Sequence, residues 1–220
     1  YAVTFWTMLH PACDLEIAGR VAAEVGADHN VIEVNELELE ALRNNPPERC
    51  YLCKRHLFQT LLKFADERGA QCAIDGTNED DLHVYRPGLK ALKELGIISP
   101  LARFHITKQE VKELASGYGL STSGRPSTPC MATRLPYGEP LDYALLRRIE
   151  EGETGLKAIF TGNIRLRVHW DTARIEVDPD QMETAVKRRE EICAMLKGLG
   201  FRYITLDLAG FLSGSMDSAL

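Results

Sequence analysis

The chain has 220 residues, of which 45% are hydrophobic, and its formal net charge is −6. That length and apolar content suit one large domain or two smaller ones, and the acidic balance argues against a protein that mainly neutralises nucleic-acid phosphates. No run approaches the roughly 20 apolar residues of a membrane span, and no secretion signal is recognisable, so we expect a soluble, cytoplasmic protein without a membrane partner.

The first part of the chain alternates strand and helix patterns. Residues 1–9 are apolar and rich in β-formers, a helical stripe begins near Asp14, and NVIEV at 30–34 is a second strand. Another helix runs from Lys54, and Gln71–Ile74 follows as a third strand. This order predicts an α/β fold, with a parallel sheet and helices on both faces.

A polar linker separates this part from the rest. Thr107 and Glu110 form a capping box for a helix that ends near Gly119. The stretch STSGRPSTPC at 121–130 follows, rich in Ser, Thr, Pro and Gly. We therefore expect a first domain over residues 1–126 and a second over 127–220.

The second domain has its own pattern. Asp142 caps a helix, NIRLRVHW at 163–170 and ARIEV at 173–177 alternate as two strands, Asp180 caps another helix, and FRYITLDL at 201–208 is a last strand. The prediction is a smaller α+β domain with the order α-β-β-α-β.

Two cysteines stand close together in ERCYLCK. Cys50 and Cys53 follow a proline pair at the start of a helix, where residues three apart share a face. The first helical turn favours anions, so a thiolate forms there more easily than in a free cysteine. The pair fits one shared metal centre, and the alternative is two half-buried thiols that are neighbours by chance.

Two ligands do not complete a metal site. Cys13, Cys72 and Cys193 lie in apolar patterns, where a free cysteine is most often a small buried hydrophobe. Cys130 lies in the polar linker, where ligands commonly bind. The pair and Cys130 could hold a four-iron cluster with one iron open, or zinc with His56 as fourth ligand.

Basic residues alternate along one predicted strand. Arg165, Arg167 and His169 share a face, and two adjacent guanidinium groups make a phosphate clamp. A solvated sheet face is the alternative. Arg134, just after Cys130, is a third basic candidate, and Glu153 is a candidate acid or base.

A possible nucleotide site follows the third predicted strand. The run Asp75-Gly76-Thr77-Asn78 stands at the carboxyl end of a strand, where open α/β sheets bind ligands. Aspartates 75, 80 and 81 could help bind a magnesium–nucleotide. The same residue types also make plain turns.

Five motifs, taken in order, closely resemble one enzyme family. They are NPPERCYLCK, IDGTNEDDLHVYRPGLKAL, PSTPCMATRLPYG, IRLRVHWDTARIEV and YITLDLAGFLSGSM. The resemblance is to the LarE family of ATP-dependent sulfur transferases, in the PP-loop ATP pyrophosphatase superfamily. It implies a homo-oligomer that converts the carboxylates of pyridinium-3,5-biscarboxylic acid mononucleotide to thiocarboxylates for the nickel-pincer cofactor of lactate racemase.

The resemblance also implies a mechanism. ATP adenylates a substrate carboxylate and releases pyrophosphate, and sulfur then displaces AMP. In one branch a cysteine matching Cys130 gives up its own sulfur and becomes dehydroalanine. In the other, three cysteines bind a [4Fe-4S] cluster whose open iron carries a hydrosulfide obtained from a sulfide donor. With Cys50, Cys53 and Cys130 this chain is similar to the cluster branch.

Site residues follow from the matching positions. Lys54 matches a lysine needed for activity, Arg134 and Glu153 match active-site positions, and Arg165 with Arg167 matches a pair that holds the substrate phosphate. ATP and Mg²⁺ are the implied cofactors beside the cluster. The residues expected around the nucleotide are Asp75, Gly76, Asn78 and Arg86.

The family's SGGxDS loop is not found in the chain, and we expect it upstream of Tyr1. Residues 213–218, SGSMDS, are similar to that loop but are interpreted as the family's C-terminal SGxM segment. Two other functions stay open. One is a tRNA thiolation enzyme of the same superfamily, which the acidic balance disfavours. The other is a non-catalytic module held together by zinc on the three cysteines and His56.

Overall fold

The computed structural model of the chain describes residues 1–11, 13–125, 128–212 and 214, and these divide into two units. The first unit consists of residues 1–42 and 46–128, and the second of residues 43–45 and 129–220. Residues 43–45 join the second unit because the carbonyl oxygens of Arg43 and Asn45 accept backbone hydrogen bonds from Leu141 and Gly138.

The first unit contains two strands and five helices among its described residues. Short 3-10 helices connect several of them, at Glu36–Glu38, Glu40–Leu42 and Glu79–His83. The main elements are β1 (Ala2–Trp6), α1 (Cys13–Glu24), β2 (His29–Glu33), α2 (Arg49–Glu67), α3 (Gly88–Glu94), α4 (Pro100–Arg103) and α5 (Lys108–Gly117).

Strands β1 and β2 pair in parallel and lie between two helices. The ring of Phe5 lies against Phe58 of α2, with centroids 6.4 Å apart. On the other face Thr4 Oγ1 and His29 Nε2 are 2.9 Å apart, and the His29 ring lies beside Gly19 of α1. Successive strand side chains point to opposite faces, so α1 and α2 cover opposite faces of the sheet. The predicted α/β arrangement is confirmed.

The prediction of a third regular strand over residues 71–74 is wrong. Only one bridge forms there, in which Ile74 pairs in parallel with Ile98. A strand is stabilised by its ladder of partners. Within the described residues this segment has a single pairing, and Ile74 stays 61% exposed. The bridge still aligns the two segments, so that Asp75 and Ser99 follow it at the same edge.

The second unit follows the predicted order, with one helix divided in two. Its elements are α6 (Tyr143–Lys157), β3 (Ile164–His169), β4 (Thr172–Val177), α7 (Met182–Lys187), α8 (Arg189–Gly198) and β5 (Tyr203–Leu206), with 3-10 helices at Met131–Arg134 and Pro179–Gln181. The order α-β-β-α-β is thus present, with α7 and α8 in place of a single helix.

The sheet of the second unit has the order β3-β4-β5. Strands β3 and β4 form an antiparallel hairpin, and β5 pairs in parallel with β4 after the α7–α8 crossover. The core lies on the face covered by α6 and α8. Its strand residues are Ile164, Leu166, Val168, Ala173, Ile175 and Val177, each at most 3% exposed.

The predicted helix caps are mostly confirmed. Asp142 Oδ1 accepts a hydrogen bond from the Ala144 N–H at the start of α6, and Thr107 and Glu110 form their capping box at α5. The predicted Asp180 cap is wrong, because Asp180 lies inside the 3-10 helix Pro179–Gln181 and α7 begins only at Met182.

Two sequence features fall wholly or partly outside the described residues. The SGSMDS segment at 213–218 is described only at its second residue, and the linker at 121–130 is described except for residues 126 and 127. None of the helices in the described part of the chain combines the length and apolar character that a bilayer span requires.

The contact of α6 with the sheet generates a stability prediction. A Cβ at Gly152 would lie 2.6 Å from Leu166 Cδ2 and 3.1 Å from Leu196 Cδ2. We expect Gly152→Ala to lower the free energy of unfolding by roughly 1–3 kcal/mol, because overpacking outweighs the helix propensity of alanine. Chemical denaturation measures this.

The matched control is Gly198→Ala at the end of α8, where an added Cβ meets nothing within 4 Å. This variant should gain up to about 1 kcal/mol from propensity alone. Equal effects of the two substitutions would contradict the packing described for Gly152.

Candidate functional site

The cysteine pair lies where the sequence indicated, near the start of α2, with Cys50 in its first turn. The helix begins at Arg49, directly after the proline-containing turn. Cys50 is exposed and Cys53 is half-buried. Residues three apart share a helix face, and the unpaired N–H groups of a first turn favour anionic side chains. The pair is therefore placed as two thiol groups that could share a ligand.

The third candidate ligand belongs to the other unit. Cys130 is half-buried and directly precedes the 3-10 helix Met131–Arg134. No group of three His, Cys, Asp or Glu side chains among the described residues is placed to hold a metal ion. His56, the fourth ligand of the zinc alternative, stands three residues after Cys53 on α2 and is part of no such group in the described part of the chain.

The prediction of burial for the remaining cysteines is wrong for two of them. Cys13 and Cys72 are exposed, and Cys193 is half-buried on α8. Cys13 opens α1, and Cys72 lies in the segment that forms no strand beyond one bridge. No neighbouring element covers either position, so the apolar sequence pattern gave a wrong prediction of burial.

Asp75 is the centre of a hydrogen-bonded cluster in the first unit. Its Oδ1 accepts a hydrogen bond from Ser99 Oγ at 2.6 Å, and its Oδ2 accepts one from Thr77 Oγ1 at 2.6 Å. Lys54 Nζ lies 3.5 Å from Oδ2 and 5.6 Å from the ring centroid of Phe58. The structure thus brings together Lys54 and Asp75, which the sequence placed in separate motifs.

The contacts of Asp75 decide its charge. Burial alone would raise the pKa of the carboxyl group, but the hydrogen bonds from Ser99 and Thr77 and the charge of Lys54 outweigh burial. The net pKa lies below the ordinary aspartate value. Asp75 is therefore a carboxylate at neutral pH, half-buried beside a lysine, at the edge where strands of an α/β sheet end.

The other nucleotide candidates surround this edge. The Asn78 backbone N–H donates to Asp81 Oδ2 at 3.2 Å, and Asp81 Oδ1 lies 2.9 Å from Arg86 Nη2. Asp80 Oδ2 accepts the Lys108 N–H at the start of α5 at 2.6 Å. At Gly76 a Cβ would meet nothing within 4 Å, so the backbone there is open to a ligand.

In the second unit Arg134 and Glu153 form a buried ion pair. Arg134 Nε lies 2.8 Å from Glu153 Oε1, and Arg134 Nη2 lies 2.9 Å from Oε2. The two side chains are only 2% and 6% exposed. Glu153 Oε1 also accepts the Leu166 N–H of β3 at 3.0 Å. This two-pronged geometry is the strong form of a charge-assisted hydrogen bond.

The same arginine holds the backbone near Cys130. Arg134 Nη1 donates to the carbonyl oxygens of Pro129 and Cys130, at 3.2 and 3.3 Å. Thr133 Oγ1 donates to the Cys130 carbonyl at 2.7 Å. From residues 43–45, the buried amide of Asn45 donates to the carbonyls of residues 132, 135 and 136. The turn that carries Cys130 is therefore held by side chains.

Glu176 is the centre of the polar face of the sheet. Its Oε1 accepts from Arg167 Nε at 2.6 Å and from Arg174 Nη2 at 3.1 Å. Arg167 Nη1 donates to the Thr133 carbonyl at 2.6 Å. Glu176 is 1% exposed and Arg167 is 8% exposed. A solvated sheet face, the alternative considered from the sequence, is excluded at these two residues.

Arg165 differs from its neighbours. Within the described part of the chain it forms no salt bridge; its Nη1 donates to the Ile164 carbonyl, and its guanidinium lies 5.0 Å from the Phe211 ring centroid. Burial lowers its pKa, the charges of Arg134 and Arg167 lower it further, and the carboxylates of Glu153 and Glu176 partly oppose this. An arginine stays charged at neutral pH, so this position favours an anion.

Sequence reasoning missed several residues of these clusters. ARIEV does alternate, which could have placed Glu176 and Arg174 on the face of Arg165. Ser99 follows a segment too short to identify as a strand. No pattern marks Asn45, whose partners are some 90 residues distant along the chain.

Comparisons with known proteins identify the family. No family model matches the chain. The chain is 37% identical over 209 residues to an uncharacterised protein of Synechocystis sp., covering 94% of the chain and 78% of that protein. It is 31% identical over 207 residues to pyridinium-3,5-bisthiocarboxylic acid mononucleotide synthase of Lactiplantibacillus plantarum, covering 94% and 75%. The chain belongs to the LarE family.

The family also reaches the archaea. An uncharacterised protein of Methanocaldococcus jannaschii is 33% identical over 186 residues, which cover 84% of the chain and 73% of that relative. As a LarE-family protein, the chain presents a lysine–carboxylate cluster at the sheet edge of one unit and an anion-favouring arginine in the other. These groups can bind phosphates and stabilise charge that develops on a carboxyl group.

The cluster at Asp75 generates a pH prediction. Because the folded pKa is depressed, the stabilisation is present above the ordinary aspartate pKa and is lost as the pH falls through the folded value. Ser99→Ala removes one hydrogen-bond donor and should raise the Asp75 pKa. The difference in unfolding free energy between the wild type and this variant should therefore become smaller in acid. NMR titration of the Asp75 carboxyl and denaturation across pH measure this.

Ser116→Ala on the exposed surface of α5 is the control. It should leave the Asp75 titration unchanged. An Asp75 pKa that does not move in Ser99→Ala would refute the role of the Ser99 hydroxyl.

The buried ion pair generates a second prediction. Glu153→Ala leaves the Arg134 guanidinium buried without its carboxylate, and it also removes the acceptor of the Leu166 N–H. We expect a loss of roughly 3–5 kcal/mol in the free energy of unfolding. Glu191→Ala, which removes an exposed pair with Arg188, should cost less than about 1 kcal/mol. Urea denaturation of both variants tests the difference.

Proposed function

We propose that the chain is an ATP-dependent sulfur transferase that converts the carboxylates of pyridinium-3,5-biscarboxylic acid mononucleotide to thiocarboxylates. Support comes from the name of its Lactiplantibacillus plantarum relative, the synthase of the bisthiocarboxylic mononucleotide. In this proposal it works in the cytoplasm, as a homo-oligomer, on the path to the nickel-pincer nucleotide. It needs a sulfide donor and takes no nucleic-acid partner.

The observation that carries the proposal is the environment of Arg165. A half-buried guanidinium group without a salt bridge among the described residues lies near two further guanidinium groups. A phosphate would supply the anionic partner that Arg165 lacks among the described residues, and arginine binds phosphate through paired N–H donors. We assign the substrate phosphate to Arg165 with Arg167, and the adjoining Arg134 and Glu153 to the reacting end.

The proposal places carboxylate activation in the first unit, as a PP-loop ATP pyrophosphatase domain. A carboxylate is a poor electrophile, so its oxygen attacks the α-phosphorus of ATP, and pyrophosphate leaves. Asp75 is suited to bind Mg²⁺, and Lys54 beside it can stabilise charge on the phosphates. Gly76, Asn78 and Arg86 complete the proposed nucleotide site.

Sulfur then displaces AMP from the acyl adenylate and leaves a thiocarboxylate. We propose that Cys50, Cys53 and Cys130 hold a [4Fe-4S] cluster. When bound, the cluster would supply an open iron position that carries the sulfur. Cys50 and Cys53 fit two ligand positions, since they stand three residues apart near the start of α2 and share a face. Cys130 is the proposed third ligand.

The metal is tested on the full-length protein purified without oxygen. We expect a brown protein with about four irons per chain, because that number defines the cluster. Cys50→Ala and Cys53→Ala should lose the iron, and Cys72→Ala, an exposed cysteine of the same unit, should keep it. A colourless protein with one zinc would favour the zinc-held module instead.

Turnover is tested with the same preparations. With ATP, Mg²⁺, sulfide and the biscarboxylic mononucleotide, the wild type should release AMP, pyrophosphate and thiocarboxylate repeatedly, and Cys130→Ala should release none of the thiocarboxylate. Salt-sensitive binding of tRNA with no reaction on the mononucleotide would support the tRNA thiolation alternative and overturn the proposal.

A further inference from the structure

The backbone around Cys130 is fastened from several sides. We call residues 129–136 the Cys130 turn. Arg134 bonds its first two carbonyl oxygens, and Asn45 bonds three later ones. The carbonyl of Thr133 is bonded by a side chain of the sheet, Arg167 Nη1, at 2.6 Å. The hold of Arg167 on this carbonyl couples the turn to β3.

Arg167 is held in turn by a buried carboxylate. Its Nε donates to Glu176 Oε1 at 2.6 Å, while its Nη1 reaches the turn. Both of these nitrogens therefore bind protein. A guanidinium group is a rigid planar fork, so the ion pair at Nε fixes the direction in which Nη1 donates. The position of the Thr133 carbonyl thus depends on Glu176, which does not touch the turn.

The environment of Glu176 supports this positioning role. Its side chain is only 2% exposed, and Arg174 donates to the same oxygen that binds Arg167. Arg174 also lies 3.6 Å from Asp207 Oδ2, just after β5. Three strands thus contribute to one network that ends at the Cys130 turn. A buried carboxylate between two guanidinium groups has little freedom to move.

We propose that Glu176 is a positioning residue for Cys130, acting through Arg167 and the Thr133 carbonyl. Arg165 and Arg167 both belong to the proposed phosphate site, and Arg167 in addition sets the place of the sulfur-bearing turn through its Nε and Nη1. The role given to Cys130 rests on the proposed function. The coupling of Glu176 to the turn rests on the contacts alone.

The test measures hydrogen exchange and kinetics on the full-length protein. Glu176→Gln keeps the size of the side chain and removes its charge. Amides of the Cys130 turn should exchange roughly tenfold faster, the change that loss of one charge-assisted hydrogen bond produces. The kcat of sulfur transfer to pyridinium-3,5-biscarboxylic acid mononucleotide should fall by about tenfold or more, because the sulfur is misplaced, with KM for the mononucleotide unchanged.

Two further variants separate the roles. Arg167→Lys keeps the charge opposite Glu176 but loses the planar fork. It should reproduce the effects of Glu176→Gln on exchange in the turn and on kcat, and it should also raise KM, because Arg167 is assigned to the phosphate as well. Arg165→Gln should raise KM for the mononucleotide and leave exchange in the turn unchanged. The control Glu191→Gln removes the same charge from an exposed pair on α8 and should change neither quantity.

Several outcomes would overturn the inference. If amide exchange in the Cys130 turn is unchanged in Glu176→Gln, or if amides of α8 accelerate as much as those of the turn, Glu176 is only a general structural residue. A raised KM for the mononucleotide with kcat intact would place Glu176 at the phosphate instead. If the wild type transfers no sulfur, the proposed function fails, and the exchange result still decides whether Glu176 holds the turn.

Discussion

The second unit depends on the burial of charges in matched pairs. The Arg134–Glu153 pair connects the turn before Leu135, helix α6 and the N–H of Leu166 in β3, so one ion pair joins three elements. Removing one partner of such a pair strongly lowers the free energy of unfolding, because the other charge stays buried alone. The intact pair adds little stability compared with hydrophobic residues of similar volume in its place. This constraint makes the turn rigid. It also leaves Arg165 as the guanidinium group of the site that is not matched by a carboxylate among the described residues.

The first unit stabilises its charged residue differently. Asp75 is half-buried at the end of a parallel bridge, and two hydroxyl groups and a lysine keep it ionised. Its partners are two neutral hydroxyl groups and a lysine 3.5 Å away, and these can be exchanged more readily than the two-pronged ion pair that holds Glu153. An exchangeable carboxylate suits a site for binding and activation, and a fixed ion pair suits a site that must hold its geometry.

The regular elements were predictable where local signals agree. Alternation in IRLRVHW and ARIEV, the capping box at Thr107 and the Asp142 cap each identified an element before any contact was known. The failures share a physical cause. Gln71–Ile74 and the exposed cysteines looked buried, but burial depends on whether another element covers them, and the local pattern does not contain that information.

The residue types, spacing and motif order of the sequence were enough to establish the LarE family, the α/β character of the first unit and the identity of the candidate cysteines, lysine and arginines. Tertiary structure alone decided which of these residues are partners. The register of β3 against β4 places Arg165 opposite Glu176, yet the Glu176 carboxylate binds Arg167 on the diagonal, and Arg167 also bonds Thr133, 34 positions away. Hydrogen bonds and ion pairs form between neighbours in space, and for these residues the fold, not the order of the chain, sets the neighbours.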